Sequence, residues 1–221
     1  MIVNADPRLA VQIDSNTLPW VASPMAGIDR RILERDGEEQ ARATSIVRYQ
    51  AGTKFSAHTH DLGEEIFVLE GTLEDEYGHY PAGSYIKNPP GSSHAPFSQM
   101  GCTLFVKLRH MQADDKQRVV INTHTIPWLP GLIDGLSVIP LSEFQGEHTA
   151  LVRWQPATYF QPHRHYGGEE ILVLAGTFQD EHGDYPAGTW LRSPDLSTHQ
   201  PFSESGCTIL VKVGHLNLPS A

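Results

Sequence analysis

Residues 55–83 read FSAHTHDLGEEIFVLEGTLEDEYGHYPAG, and residues 160–188 read FQPHRHYGGEEILVLAGTFQDEHGDYPAG, 105 positions further along the chain. The register continues without a gap to Val106-Lys107 and Val211-Lys212. Self-similarity at a fixed spacing shows that one structural unit occurs twice.

The repeat also extends upstream, where LPW at residues 18–20 corresponds to IPW at residues 126–128 with a spacing of 108. About three residues are therefore missing from the second copy, near its first hairpin. Each copy spans about 110 residues, which is the size of a small domain. The sequence predicts two tandem domains of one fold, residues 1–113 and 114–221.

The apolar runs within each copy are short and rich in β-branched and aromatic residues. IFVL at 66–69 and ILVL at 171–174 end at Gly71 and Gly176. Such runs, punctuated by glycine, are typical of strands covered on both faces, as in a barrel or a sandwich. The 16 prolines and 19 glycines spread along the chain favour many short strands joined by turns. The predicted fold class is all-β.

Histidines recur in each copy with spacings that suit a metal ion. Two stand at i and i+2, which places both side chains on one face of a strand, and a third follows 34 residues after the second. Imidazoles together with a carboxylate suit zinc, iron, manganese or nickel rather than calcium or magnesium. The histidines are His58, His60 and His94 in the first copy and His163, His165 and His199 in the second.

These residues resemble the two motifs of the cupin superfamily. The first motif, G-x5-H-x-H-x3-E-x6-G, begins at Gly52 and selects Glu64 as the carboxylate ligand; in the second copy it selects Glu169 and departs only at Ala157. The second motif, G-x5-P-x-G-x2-H-x3-N, ends in serine in both copies, and Leu196 replaces its second glycine in copy two. The resemblance implies two jelly-roll β-barrels, each binding one divalent metal. The implied ligands are His58, His60, Glu64 and His94, and His163, His165, Glu169 and His199.

A narrower pattern, G-T-x-x-D-E-x-G-x-Y-P-A-G, fills residues 71–83 and 176–188 and resembles the ChrR-like cupin family. Membership implies zinc, with iron, manganese or nickel as alternatives, and a sigma factor as partner. ChrR-type regulators carry an N-terminal anti-sigma zinc domain with a Cys-x-x-Cys, whereas no cysteine precedes the first repeat here. Other members resemble acetylacetone dioxygenases, which contain iron.

Two functions therefore stand as hypotheses, and catalysis itself stays open. The favoured one is a metal-binding sensor or binding module in a transcriptional stress response, with a sigma factor or a small-molecule ligand as partner. In it, three histidines and one glutamate complete a tetrahedral zinc shell. The alternative is an iron- or manganese-dependent dioxygenase of a small diketone-like substrate, in which a six-coordinate ion keeps two open positions.

Charge and composition restrict the classes of partner that the protein is expected to bind. A net charge of −10 and a pI near 5.6, with no run of lysines or arginines, argue against nucleic acid and against an anionic membrane surface. The N-terminus lacks the features of a signal peptide and no apolar run reaches the length of a membrane span, which predicts a cytoplasmic protein. A monomer and a homodimer are both expected alternatives, because a tandem pair already resembles a cupin dimer fused in one chain.

Overall fold

The computed structural model describes residues Met1–Leu216, which consist almost wholly of antiparallel β-strands. This confirms the all-β prediction. Two short 3₁₀ turns, Ser15–Thr17 and Thr123–Thr125, are the helical segments of the described chain. The first strands are β1 (Ile2–Val3), β2 (Val11–Asp14), β3 (Val21–Ala22), β4 (Ile28–Asp36), β5 (Arg42–Tyr49), β6 (Thr53–Lys54), β7 (His58–His60), β8 (Glu64–Asp75), β9 (Gly78–Pro81), β10 (Ser84–Asn88), β11 (Ser92–His94), β12 (Phe97–Ser98), β13 (Cys102–Leu108) and β14 (Val119–Asn122). They are followed by β15 (Leu129–Pro130), β16 (Leu136–Phe144), β17 (Glu147–Trp154), β18 (Thr158–Tyr159), β19 (His163–Arg164), β20 (Glu169–Asp180), β21 (Gly183–Pro186), β22 (Thr189–Ser193), β23 (Thr198–His199), β24 (Phe202–Ser203) and β25 (Cys207–Val213).

The chain divides into two compact units. Domain 1 comprises Met1–Ala5 and Leu18–Ile126, and domain 2 comprises Asp6–Thr17 and Pro127–Ala221. This division differs from the one at residues 113 and 114 that follows the sequence repeat. The difference comes from one strand near the start of each repeat: β2 pairs with β22 in domain 2, and β14 pairs with β10 in domain 1. Each added strand covers backbone groups at a sheet edge that would otherwise lack partners.

Each domain has the double-sheet jelly-roll architecture that the sequence predicts. The main sheet of domain 1 has the order β1-β4-β5-β13-β8-β10-β14, and a smaller set of strands, β6, β9 and β12, pairs with the second half of β8 or with one another. Domain 2 repeats this arrangement as β15-β16-β17-β25-β20-β22-β2. In both domains a separate two-stranded ribbon, β7–β11 or β19–β23, lies beside the sheets.

Strands β8 and β20 are longer than predicted, because they do not end at Gly71 and Gly176 but continue to Asp75 and Asp180. Each glycine adopts a φ of 71° and lies two residues after Leu69 or Leu174, where the pairing of β8 with β13, or of β20 with β25, shifts register. A Cβ at Gly71 would lie 2.2 Å from the carbonyl oxygen of Gly101. The glycines therefore bend a single long strand from one sheet into the other.

The hairpin between β4 and β5 distinguishes the two domains. It contains residues 37–41 in domain 1, whereas residues 145–146 suffice between β16 and β17, so the three-residue difference lies here. Both hairpins are preceded by a β-bulge, in which Leu33 or Leu141 is the additional residue. A bulge shifts the alternation of side chains, so residues beyond it face the opposite side from the one that simple counting predicts.

The interior of each barrel is apolar. In domain 1 it includes Ile28, Tyr49, Val68 and Leu104, and in domain 2 aromatic side chains predominate around Trp154. None of the described helical segments has the length and apolarity that a membrane-spanning helix requires.

Candidate metal centres

The pairing of the two-stranded ribbon explains the spacing of the histidines. Strand β7 pairs antiparallel with β11 in a register that sets His58 directly opposite His94. In domain 2, β19 and β23 set His163 opposite His199 in the same way. The third histidine of each copy therefore follows at a distance of 34 residues because that length of chain returns to the partner strand.

In domain 1, His58, His60 and His94 each offer a ligand atom within 4.8 Å of the others. The predicted carboxylate, Glu64 at the start of β8, places Oε2 3.3 Å from Nε2 of His60 and 3.5 Å from Nε2 of His94. The group of atoms within 4.8 Å does not include Glu64, whose Oε2 also accepts a hydrogen bond from Nδ2 of Asn88 at 3.1 Å. Glu64 thus touches two of the three histidines.

In domain 2 all four predicted residues come together. Ligand atoms of His163, His165, Glu169 and His199 lie within 4.8 Å of one another. Oε1 of Glu169 is 3.4 Å from Nε2 of His165 and 3.7 Å from Nε2 of His199, and the Nε2 atoms of His163 and His165 are 3.2 Å apart. Four ligands at about 2.1 Å from one ion are separated by about 3.4 Å, so these spacings suit a shared cation.

Hydrogen bonds at Nδ1 fix the orientation of the imidazoles. His94 donates from Nδ1 to Oδ2 of Asp75 at 3.3 Å, and His199 donates to Oδ2 of Asp180 at 3.2 Å. His58 donates to the Ser56 carbonyl at 2.9 Å. Because carboxylates and carbonyls only accept hydrogen bonds, these rings carry their proton on Nδ1 and direct the Nε2 lone pair inward.

Asp75 and Asp180 each hold one histidine of a candidate metal cluster, a role that sequence reasoning missed. Asp75 and Asp180 belong to the repeated Asp-Glu pair, and a carboxylate on a ligating histidine is the usual outer partner in metal sites. Each also accepts from a buried phenol, Tyr80 or Tyr185, at 2.8 Å. The repeated D-E-x-G-x-Y pattern after a histidine motif was the available signal.

Several inward-directed atoms are buried and have no hydrogen-bond partner among the described residues. They are Nε2 of His60, His94 and His199 and Oε1 of Glu169. Burying such atoms unpaired is costly, and lone pairs that converge on one point repel each other. One divalent cation in each domain would satisfy these atoms, so the residues present fit a metal in both domains.

The pKa values of these groups reflect burial and mutual charge. Burial and the neighbouring imidazoles lower the pKa of His165 to about 4. Burial raises the pKa of Glu169 to about 7, against the opposing charge of His199. Burial also lowers the pKa of His60, while for His94 the hydrogen bond to Asp75 and the charge of Glu64 outweigh burial and raise the pKa.

The loops at the two departures from the cupin motifs keep the backbone conformation that glycine adopts. Ala157 has φ 55° where Gly52 has φ 78°, and Leu196 has φ 64° where Gly91 has φ 86°. The substitutions therefore leave the loop shape unchanged and add backbone strain, since side chains with a Cβ disfavour this region.

A cavity of about 450 Å³ inside domain 1 opens onto the His58, His60, Glu64 and His94 cluster. Apolar side chains form most of its wall, and the polar exceptions beyond the cluster include three arginines. The wall includes Ile28, Val47, Tyr49, Phe55, Ile66, Leu73, Leu104, Val106 and Leu108, together with Arg30, Arg35 and Arg109.

Two positions of this wall carry larger side chains in domain 2. Trp154 corresponds to Tyr49 and Phe178 corresponds to Leu73. The rings of Trp154 and Phe178 contact each other at 5.7 Å between centroids, and Phe178 lies 6.1 Å from the ring of His199. Phe178, packed against Trp154, therefore lies beside the second cluster, where domain 1 has the smaller Leu73.

Solved structures with the same fold cover nearly the whole chain. A proposed dioxygenase from Nostoc punctiforme superposes with a TM-score of 0.79 at 16% identity, covering 96% of this chain and 85% of its own. The pirin YhhW from Escherichia coli, solved with nickel(II), gives 0.68 at 15% identity, covering 93% and 98%. The oxalate decarboxylase of Lactobacillus farciminis gives 0.64 at 12% identity, covering 92% and 86%. At these identities the similarity shows the fold alone.

Comparison with curated proteins finds no match. The sequence model of the ChrR cupin-like domain, in contrast, matches twice, at residues 9–112 and 116–217. Together the two matches cover almost the entire chain in tandem. The protein therefore belongs to the ChrR cupin-like domain family and is a bicupin.

Proposed function

We propose that this bicupin is a metal-dependent enzyme in which domain 1 binds and transforms a small organic molecule, and domain 2 holds a structural metal. The observation that carries the proposal is the cavity of about 450 Å³ beside His58, His60, Glu64 and His94. Its volume lies within the range of small-molecule sites, which are mostly apolar with a few polar groups. A closed structural zinc site requires no such space.

The reaction class that fits best is dioxygenation of a small diketone-like substrate. The ligands in domain 1 would be the three histidines and Glu64, and a bound iron or manganese would supply Lewis-acid activation of substrate and oxygen. The protein residues contribute orientation: Asp75 holds His94, and Asn88 holds Glu64 through a hydrogen bond of 3.1 Å. The apolar wall excludes water from the bound substrate. The structural similarity to a proposed dioxygenase supports this class.

Domain 2 supports a different role for its metal. All four predicted ligands lie within 4.8 Å of one another there, and Trp154 and Phe178 occupy the space next to His199. Four protein ligands under a packed aromatic cover suit a zinc ion that stabilises the fold. We therefore assign catalysis to domain 1.

The second candidate is a sensor module of a stress response, in which domain 1 binds a small signal without converting it. Membership of the ChrR cupin-like family favours it. In this case the partner would be a sigma factor, and the protein would act in the cytoplasm as a monomer or homodimer. Co-purification with sigma factors of the host, with and without bound metal, tests this candidate.

Metal analysis and turnover of matched variants distinguish the candidates. We expect two metal equivalents in the wild-type protein and one in each of His58→Ala and His163→Ala. Oxygen uptake on a panel of diketones should be absent in His58→Ala and retained in His163→Ala. Metal content unchanged in both variants would reject the ligand sets. Full metal loading with no oxygen uptake or product on any diketone would leave the sensor module as the better explanation.

A further inference from the structure

One arginine inside domain 1 is placed facing the cavity by a backbone irregularity. Arg35 lies two residues beyond Leu33, the extra residue of the bulge in β4, and it lines the cavity together with Arg30. Without the bulge, alternation from Arg30 would turn Arg35 to the outer face of the strand. The position of Arg35 in the cavity wall therefore depends on this single irregularity.

Arg35 is buried and weakly partnered. Only 4% of the residue is exposed, its Nη1 donates to the carbonyl of Glu38 at 2.6 Å, and its Nε has no hydrogen-bond partner among residues 1–216. Arg30, in contrast, forms a bidentate ion pair with Glu39, with N···O distances of 2.9 and 3.1 Å. Arg35 thus lines the cavity with a guanidinium whose hydrogen bond to the chain goes to a backbone carbonyl.

A buried guanidinium whose hydrogen bond within the chain goes to a neutral carbonyl is unfavourable unless a further acceptor reaches it. The charge of Arg30 on the same wall is balanced by its ion pair with Glu39, which also lines the cavity. Burial and the charge of Arg30 lower the pKa of Arg35. A guanidinium presents its donors in a planar fork that matches a carboxylate.

The second repeat lacks this arrangement, which makes it specific to domain 1. Val138 corresponds to Arg30 and Glu143 corresponds to Arg35. The longer hairpin of domain 1 supplies Glu38 and Glu39, which hold the two arginines. The two arginines are thus a feature of the domain 1 cavity that the second repeat does not share.

We propose that the domain 1 cavity is built for an organic anion: a small molecule with a carboxylate that binds Arg35 and a second oxygen-bearing group that reaches the metal ligands. This inference rests on the proposed function, because it assigns the substrate class of the same site. The substrate would be a keto acid or a diketone that carries a carboxylate, rather than a neutral diketone.

The sheet register relates the position of Arg35 to that of Glu64 in the candidate metal cluster of domain 1. Arg35 pairs with Ala43, Ala43 with Leu108, and Leu108 with Glu64, so Arg35 and Glu64 lie at the same level of the barrel. Three inter-strand steps place their Cα atoms about 14 Å apart along the curved sheet. Both residues line the same cavity, so a small molecule held at the candidate metal ligands has Arg35 on the same wall.

Two probes with one carbon skeleton test the proposal: 4,6-dioxoheptanoate and heptane-2,4-dione, which differ by a carboxylate in place of a methyl group. Binding to nickel-loaded full-length protein is measured by titration calorimetry. We expect the acid to bind about 10- to 100-fold more tightly than the dione. In Arg35→Gln this ratio should fall to about one, and Arg35→Lys should keep part of it. Arg48→Gln, which removes a surface arginine paired with Asp29, is the matched control and should leave the ratio unchanged.

Each outcome separates this inference from the proposed function. Equal binding of both probes to the wild-type protein overturns the inference and leaves the proposed function standing. A preference for the acid that persists in both Arg35 variants also overturns it, because another group then binds the carboxylate. Absence of binding by either probe to the metal-loaded protein rejects the proposed function, and the inference with it. The comparison of the two probes on the wild-type protein still tests the preference for a carboxylate if Arg35→Gln does not fold.

Discussion

Leu73→Phe in domain 1 should stabilise the protein, although small-to-large changes at buried positions usually destabilise. Leu73 is 1% exposed and lines the cavity, and the corresponding residue of domain 2 is already a phenylalanine, Phe178. In domain 2 that ring lies 5.7 Å from Trp154 and 6.2 Å from Tyr185 between centroids, so the fold accommodates it. The substitution therefore gives domain 1 the aromatic residue that domain 2 already has at the same position.

The magnitude follows from the additional apolar area. A phenylalanine buries roughly 30–40 Å² more than a leucine, which at about 25 cal/mol per Å² corresponds to about 1 kcal/mol as an upper value. For a chain of this length the melting temperature should rise by about 2–4 °C. The same substitution at Leu33, which is fully buried away from the cavity, should cost about 1–3 kcal/mol because no space receives the ring.

Thermal unfolding of both variants at saturating metal measures the difference, and titration with the nickel-loaded protein measures probe binding. Leu73→Phe should raise the melting temperature and weaken binding of 4,6-dioxoheptanoate, while metal content stays at two equivalents. If Leu73→Phe destabilises the protein as much as Leu33→Phe, the space beside His94 is already filled, and the assignment of domain 1 as the binding domain is refuted.

Three further predictions concern domain 2. Because the pKa of Glu169 is raised to about 7 and metal binds the ionised carboxylate, affinity at this site should rise with pH between about 6 and 8, and Glu169→Gln should lose that dependence; metal titrations across the range measure it. Asp180→Asn should weaken metal affinity about 10- to 100-fold, since an amide can donate to Nδ1 of His199 and disfavour the ligating tautomer; competition with a chelator measures it. Leu196→Gly should stabilise by about 0.5–1 kcal/mol, because relief of the strain at φ 64° exceeds the entropic cost of glycine, whereas Gly91→Leu should do the reverse; denaturant midpoints compare the two.

The sequence alone predicted the fold class and the residues that meet in each candidate metal cluster, because these features are local or occur in both repeats. The i and i+2 spacing of His58 and His60 already places both rings on one strand face. The repeat then supplies a second, independent copy of each spacing. Whether these residues bind metal remains a prediction for the metal analysis described above.

The remaining features of the site depend on how the strands pair in the folded structure. Arg35 faces the cavity only because of the bulge at Leu33, and a bulge is visible in the register between strands rather than in the order of residues. The partnership of Asp75 with His94 joins residues 19 positions apart through a strand that bends at Gly71, where the sequence suggested an end. The contact between Trp154 and Phe178 in domain 2 likewise depends on which strands the fold brings together.

The pairing of β2 in domain 2 and of β14 in domain 1 has a consequence for the evolution of the tandem. A fragment that ends with the first repeat would lack β14 and leave the edge of β10 open, and the second repeat alone would lack β2. An open edge of this kind invites pairing with other chains. Recombination at the repeat boundary would therefore yield two halves with open sheet edges, so selection should preserve the tandem as one unit while its two candidate metal clusters diverge.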